Sequence, residues 1–112
     1  MSHAIDFIET HTFTRQIRSI ATDDELKAFQ NSIIAQPEKG DLIPGTGGLR
    51  KARMAIRHQG KRGGARVIYF VATAERVYLL LAYSKNVKDD LTPEEKSYLK
   101  ALTQQLKEEV SQ

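Results

Sequence analysis

Seven basic side chains lie in one segment of the sequence that contains no acidic residue. Between Leu42 and Ala74 there are seven Lys or Arg and no Asp or Glu, whereas the rest of the chain holds ten bases and all fourteen acids. Cations crowded in this way repel one another unless a polyanion neutralises them. Nucleic-acid phosphate is the commonest such polyanion, so the segment predicts nucleic-acid binding that weakens steeply with salt.

These residue types could also cleave RNA, which carries its own nucleophile, the 2′-OH. Cleavage needs a base for that proton, a cation for the pentacoordinate phosphate and an acid for the leaving 5′-oxygen. Arg66 suits the phosphate because arginine is always charged and binds bidentately. A lysine among like charges can have a lowered pKa and act as the base. His58, in the basic loop, could also take part, although an ordinary loop role is the commoner one.

The charge run has another interpretation. A charge run can simply be a solvated strand face that keeps a sheet edge from aggregating, but such faces usually mix signs and this one does not.

The chain contains no cysteine and no His, Cys or Asp cluster with metal-ligand spacing, so we expect neither a metal nor another cofactor. It also shows no signal peptide and no membrane-length apolar run, which favours a cytoplasmic protein.

Periodicity indicates the elements in the first half of the chain. Residues 4–9 alternate as a short strand. Two short helices follow, the first with Thr12 as its N-cap and the second with a capping box formed by Thr22 and Glu25. Pro37 ends the second helix. The segment from Pro37 to Gly48 is rich in Gly and Pro and is expected to be a loop.

Three strands and a helix are expected after this loop. In the strand Leu49–Arg57 one face is apolar and the other basic, while Arg50 falls on the apolar side at the strand's start. Residues 65–72 and 77–83 form the next strands, and the last is apolar enough to be covered on both faces. The final helix begins after Thr92, with Glu95 as the second half of another capping box.

The fold class is therefore α+β, in the order β-α-α-β-β-β-α. We expect a single domain over residues 1–112, with a mainly antiparallel sheet, because the connections between its later strands are short. The two N-terminal helices pack on one face, and a C-terminal helix completes the domain. On this arrangement Ala52, Met54 and Ile56 are buried under the helices, and the opposite face presents cations.

This order, together with the segments PGTGGLRKAR, KRGGARVIYF and YSKN followed by KDDLT, resembles the RelE/ParE superfamily of toxins from type II toxin–antitoxin systems. It is most similar to the RelE-like HigB toxins, over nearly the whole chain. The resemblance implies a ribosome-dependent mRNA interferase that cuts mRNA in the 30S A site and is silenced by a cognate antitoxin. It also implies that operator DNA is reached only indirectly, through the antitoxin.

The resemblance also suggests roles for individual residues. Arg66 matches the family's arginine in a Gly-x-Arg-hydrophobic setting, Lys51 and Arg53 match its basic pair on the second strand, and Lys85 matches its basic position after the last strand. These four are the expected catalytic residues. The expected RNA-binding residues are Arg50, Arg57, Lys61, Arg62, Tyr83 and Asn86. The alternatives are a ParE-like poison of DNA gyrase and a non-catalytic member that binds RNA or an antitoxin.

Overall fold

The computed structural model describes residues 4–57, 64–85, 87–88 and 90–111. The elements found in these residues are β1 (Asp6–Glu9), α1 (His11–Ile20), α2 (Asp23–Ala35), β2 (Asp41–Leu42), β3 (Arg50–Met54), β4 (Ala65–Thr73), β5 (Arg76–Ser84) and α3 (Pro93–Ser111). The strands form one mixed sheet in the order β1-β5-β4-β3-β2. The predicted α+β class is confirmed.

The centre of the sheet is antiparallel and its first strand is not. β3, β4 and β5 pair antiparallel in sequence order. β1 pairs in parallel with β5, from Asp6 beside Arg76 to Glu9 beside Leu79. The two-residue strand β2, which pairs with Arg50 and Lys51, lies in the segment expected to be only a loop, so that prediction was wrong there.

Two of the three predicted helix starts are confirmed. The Thr22 hydroxyl accepts from the Glu25 N–H at 3.1 Å, and the Glu25 carboxylate accepts from the Thr22 N–H at 2.9 Å. Thr92 and Glu95 repeat both contacts at the same distances. The N-cap of α1 is Thr10 rather than Thr12, since the Thr10 hydroxyl accepts from the Phe13 N–H and donates to the Leu80 carbonyl.

Helices cover both faces of the sheet. On one face, called the helix-pair face, α1 and α2 pack Phe13, Ile17, Phe29 and Ile33 against Ala52, Met54, Ile56 and neighbouring strand residues. On the other, called the α3 face, Leu99 and Leu106 pack against side chains that include Ile68, Phe70 and Leu80. β5 contributes to both cores, as its apolar sequence predicted. Of the helices described, none combines the length and apolar character that crossing a membrane requires.

Candidate nucleic-acid interface

Three of the predicted site residues form one row across the middle of the sheet. Arg53 of β3 is the direct partner of Arg66 in β4, and Arg66 is the direct partner of Tyr83 in β5. Side chains directly opposite each other in an antiparallel pair have Cβ atoms about 5 Å apart. The alternation of each strand puts all three on the α3 face, where Tyr83 belongs to the apolar core and the two arginines lie beside it. Two guanidinium groups can therefore reach the same anion.

Lys51 lies one row further along the same face of β3. Its direct partner in β4 is the buried Ile68. Its ammonium group pairs with the carboxylate of Asp90 at 3.6 Å, and 28% of the Lys51 side chain is exposed. The pKa of Asp90 lies below its ordinary value, because its carboxylate accepts the Leu91 N–H and faces Lys51, and these outweigh its slight burial. The α3 face thus has a third cation, held by a carboxylate from the segment before α3.

The sequence did not identify Lys88 as a site residue. Its ammonium group lies 5.0 Å from the centre of the Tyr83 ring, within the range of a cation–π contact. The same group forms an ion pair with Glu95 in the first turn of α3. Tyr83 itself is only 6% exposed, so Lys88 presents the charge at this end of the row. In the sequence Lys88 is marked only by its position just ahead of the Thr92–Glu95 capping box, which does not reveal its contact with Tyr83.

Lys85 and Arg57 lie at the same end of the sheet as the row. The Lys85 N–H donates to the carbonyl of Gly64, the residue that precedes β4, at 3.1 Å. Both Lys85 and Arg57 are exposed. The Arg57 N–H donates at 2.6 Å to the Glu25 carboxylate on α2, so its backbone is fixed against the helix-pair face. The backbone of Lys85 thus lies beside the residue that precedes β4, two positions from Arg66.

The structure does not bring Arg50 to the α3 face. Arg50 alternates with Lys51 and so shares a side with Ala52 and Met54. Its guanidinium donates to the carbonyls of Gly40 at 2.7 Å and Glu38 at 3.1 Å. These contacts tie the loop after α2 to the start of β3, which is a structural use of the charge.

Residues 7–112 match the family described as the RelE toxin of the RelE/RelB toxin–antitoxin system. The chain belongs to the RelE toxin family. A toxin of this class is one half of a pair, so membership implies a cognate antitoxin as a partner. The resemblance of the sequence to the RelE/ParE superfamily is confirmed by this match.

A groove next to the row on this RelE-family toxin shares Arg53 with it but has a different electrostatic character. It has a volume of about 490 Å³ and runs between α2 and the outer edge of β3. Cations and carboxylates both line it: Lys39, Lys51 and Arg53 with Glu25 and Asp41. Glu25 and Asp41 offset the cations of the groove. The Arg53–Arg66 pair instead brings two guanidinium groups together, so the α3 face is the better candidate for binding RNA phosphate.

Several predicted residues cannot be placed on the toxin's surface. Lys61, Arg62 and Asn86 lie outside the described residues, as does His58. Within the described part of the chain, no three His, Asp or Glu side chains gather as metal ligands would. The candidate interface is therefore built from side chains on β3, β4 and β5 and from the turn that leads into α3.

Proposed function

We propose that this RelE-family toxin is an endoribonuclease, specifically a ribosome-dependent mRNA interferase of the HigB-like kind. The observation that carries the proposal is the alignment of Arg53 and Arg66 as direct cross-strand partners. Like charges directly opposite each other destabilise a sheet. An anion between the two guanidinium groups would turn this repulsion into attraction.

In the proposed mechanism Arg66 stabilises the scissile phosphate. The 2′-OH of the preceding nucleotide attacks the phosphorus in line, loses its proton to a base and displaces the 5′-oxygen, which takes a proton from an acid. The products are a 2′,3′-cyclic phosphate and a new 5′-OH. Arg66 neutralises charge on the pentacoordinate phosphate. Lys51, Arg53 or Lys61 would position that phosphate or move the protons, and Lys85 adds positive charge beside Arg66.

The remaining cations would hold the RNA on either side of the cut. Arg57, Lys61 and Arg62 belong to the segment between β3 and β4. Tyr83 lies near the end of β5, and Asn86 follows that strand in the sequence. We propose that Arg57, Lys61, Arg62 and Asn86 contact the mRNA in the 30S A site of a cytoplasmic ribosome. Tyr83, which is 6% exposed, would support this surface from under Lys88. The antitoxin would silence the toxin by binding it, and operator DNA would be contacted through the antitoxin alone.

Primer extension on a reporter mRNA tests the proposal. The mRNA is incubated with the toxin in a translating extract and, in parallel, without ribosomes. We expect cuts at fixed codon positions only during translation, and we expect Arg66→Ala to abolish them while keeping a folded circular dichroism spectrum. Lys27→Gln, which removes an exposed charge from α2 on the other side of the sheet, should cut normally.

Three other outcomes would contradict the proposal in different ways. Cuts in ribosome-free RNA would indicate a free ribonuclease. Full activity of a folded Arg66→Ala protein would remove Arg66 from the mechanism. If neither sample is cut, a gyrase-supercoiling assay with the same protein tests the ParE-like alternative. If gyrase is not inhibited either, the remaining alternative is a non-catalytic member of the family that binds RNA or an antitoxin.

A further inference from the structure

Lys88 occupies the end of the Arg53–Arg66–Tyr83 row without any role in the function proposed so far. Its ammonium group is 5.0 Å from the centre of the Tyr83 ring. Tyr83 is the direct partner of Arg66, so Lys88 is next to the residue that adjoins the proposed phosphate site. A cation in this place extends the row beyond the three strands.

The position of Lys88 is fixed by two contacts. The Lys88 N–H donates to the Ser84 carbonyl at 3.3 Å, which folds the chain back directly after β5. Its ammonium group pairs with one oxygen of the Glu95 carboxylate, while the other oxygen accepts the Thr92 N–H at 2.9 Å. Because that second bond belongs to the capping box of α3, Glu95 is held rigidly. Lys88 is thereby oriented by the start of the helix.

The Lys88–Glu95 pair is exposed enough to water for another anion to replace the Glu95 carboxylate. About a third of each side chain is exposed, 29% for Lys88 and 32% for Glu95. Burial of the Glu95 carboxyl raises its pKa, but the hydrogen bonds from Lys88 and Thr92 outweigh this and leave the pKa below its ordinary value. A partly exposed ion pair contributes little stability, about 0–1 kcal/mol. A phosphate of bound RNA can therefore replace the Glu95 carboxylate at small cost.

We propose that Lys88 is a further RNA-binding residue and that the Glu95 carboxylate competes with RNA for it. In the free toxin the Glu95 carboxylate is ion-paired with the Lys88 ammonium group. When RNA binds, one of its phosphates replaces the carboxylate in that pair. The inference rests on the proposed function for the identity of the polyanion. It adds a residue outside the expected set and a competition between an internal carboxylate and RNA.

Binding of a short fluorescein-labelled single-stranded 2′-O-methyl RNA to the full chain tests this proposal. The 2′-O-methyl group blocks the nucleophile, so fluorescence anisotropy reports binding alone, measured over a series of KCl concentrations. Lys88→Gln should weaken binding about fivefold at low salt and reduce the salt slope by about 0.7, the value for one phosphate contact on a single strand. Lys27→Gln has the same change in charge and should stay within about twofold of the wild type.

Glu95→Gln separates the competition for Lys88 from the capping of α3. The amide oxygen can still accept the Thr92 N–H, but the charge that competes for Lys88 is gone. We expect RNA binding to strengthen about two- to fivefold, the range that corresponds to the loss of one exposed ion pair. In the double variant with Lys88→Gln, Glu95→Gln should have little further effect on RNA affinity, because the ammonium group that it would release is already absent.

The opposing interpretation is that Lys88 serves only to anchor α3. In that case Lys88→Gln would lower the free energy of unfolding in urea and leave both RNA affinity and salt slope unchanged, which would overturn the proposal. A wild-type protein that does not bind the oligonucleotide would overturn it as well. If Arg66-dependent cuts still appear in the translating extract, only this inference fails and the proposed function stands. If the cuts are missing too, both fail.

Discussion

Arg53 and Arg66 are direct cross-strand partners on the α3 face of the sheet. Opposed like charges cost a sheet stability, in the range of about 0.2–1 kcal/mol for a pair. We therefore expect Arg53→Gln to raise the free energy of unfolding by about that amount while reducing cleavage of translated mRNA. Urea denaturation followed by circular dichroism measures the first effect, and primer extension measures the second.

Salt provides the control for the repulsion between Arg53 and Arg66. Added KCl screens exposed charges, so the stability difference between the wild type and Arg53→Gln should shrink as KCl increases. Lys27→Gln removes a cation from α2 and should show no such gain. A destabilised Arg53→Gln protein would indicate that Arg53 supports the fold, and would contradict a net repulsion between Arg53 and Arg66.

The hydroxyl of Tyr69 connects β4 to the loop after α2. It accepts the Gly40 N–H at 2.9 Å and donates to the Pro37 carbonyl at 2.9 Å, with the whole side chain buried. Burial raises the pKa of this phenol. Tyr69→Phe leaves both backbone groups without this partner and should cost about 1–3 kcal/mol in urea denaturation. Tyr98→Phe, at a side chain that is 61% exposed, should cost almost nothing, and equal losses would contradict the assignment.

Glu25 makes the stability of the toxin depend on pH. Hydrogen bonds from the backbone N–H groups of Thr22 and Arg57 hold the pKa of its carboxyl below the ordinary 4.5. A lowered folded-state pKa contributes stability that is complete above the unfolded-state value and is lost as pH falls through the folded-state value. The wild type should therefore be more stable than Glu25→Gln at neutral pH, and the difference should close below about pH 4.5.

Urea denaturation at a series of pH values measures this difference. Glu108→Gln, at an exposed position near the end of α3, is the matched control and should change stability by a similar small amount at every pH. A constant gap between the wild type and Glu25→Gln would show that the effect of Glu25 does not depend on its charge.

Gly64 cannot carry a side chain without moving the backbone of β3. Its φ is +63°, and a Cβ atom there would lie 2.4 Å from the Met54 carbonyl oxygen. Gly45 has a similar φ of +79° but open space around it. Both alanine variants should lose about 1 kcal/mol from the left-handed backbone. Gly64→Ala should lose more than Gly45→Ala in thermal unfolding, and equal losses would show that the close approach relaxes freely.

Local patterns predicted the features that depend on neighbours in sequence. The two capping boxes, at Thr22 with Glu25 and at Thr92 with Glu95, need only a four-residue signature. The alternation of β3 placed Lys51 and Arg53 opposite the apolar residues, and the structure agrees.

Features that depend on distant contacts were missed. Thr10 caps α1 in place of Thr12 because its hydroxyl also reaches the Leu80 carbonyl, which no local pattern contains. β2 is two residues long and exists through its pairing with Arg50 and Lys51. Lys88 entered the candidate site because the chain turns back over Tyr83, and spacing along the sequence does not reveal that turn.

The parallel pairing of β1 with β5 sets the order in which the toxin can be assembled during its own synthesis. β1 begins at Asp6, and its partner strand runs from Arg76 to Ser84. The N-terminal strand must therefore wait for most of the chain to be translated, and such distant pairings also slow folding. Tyr83 lies on that same late strand, beside Arg66. A ribosome translating this message must therefore pass the codon for Tyr83 before the Arg53–Arg66–Tyr83 row can form.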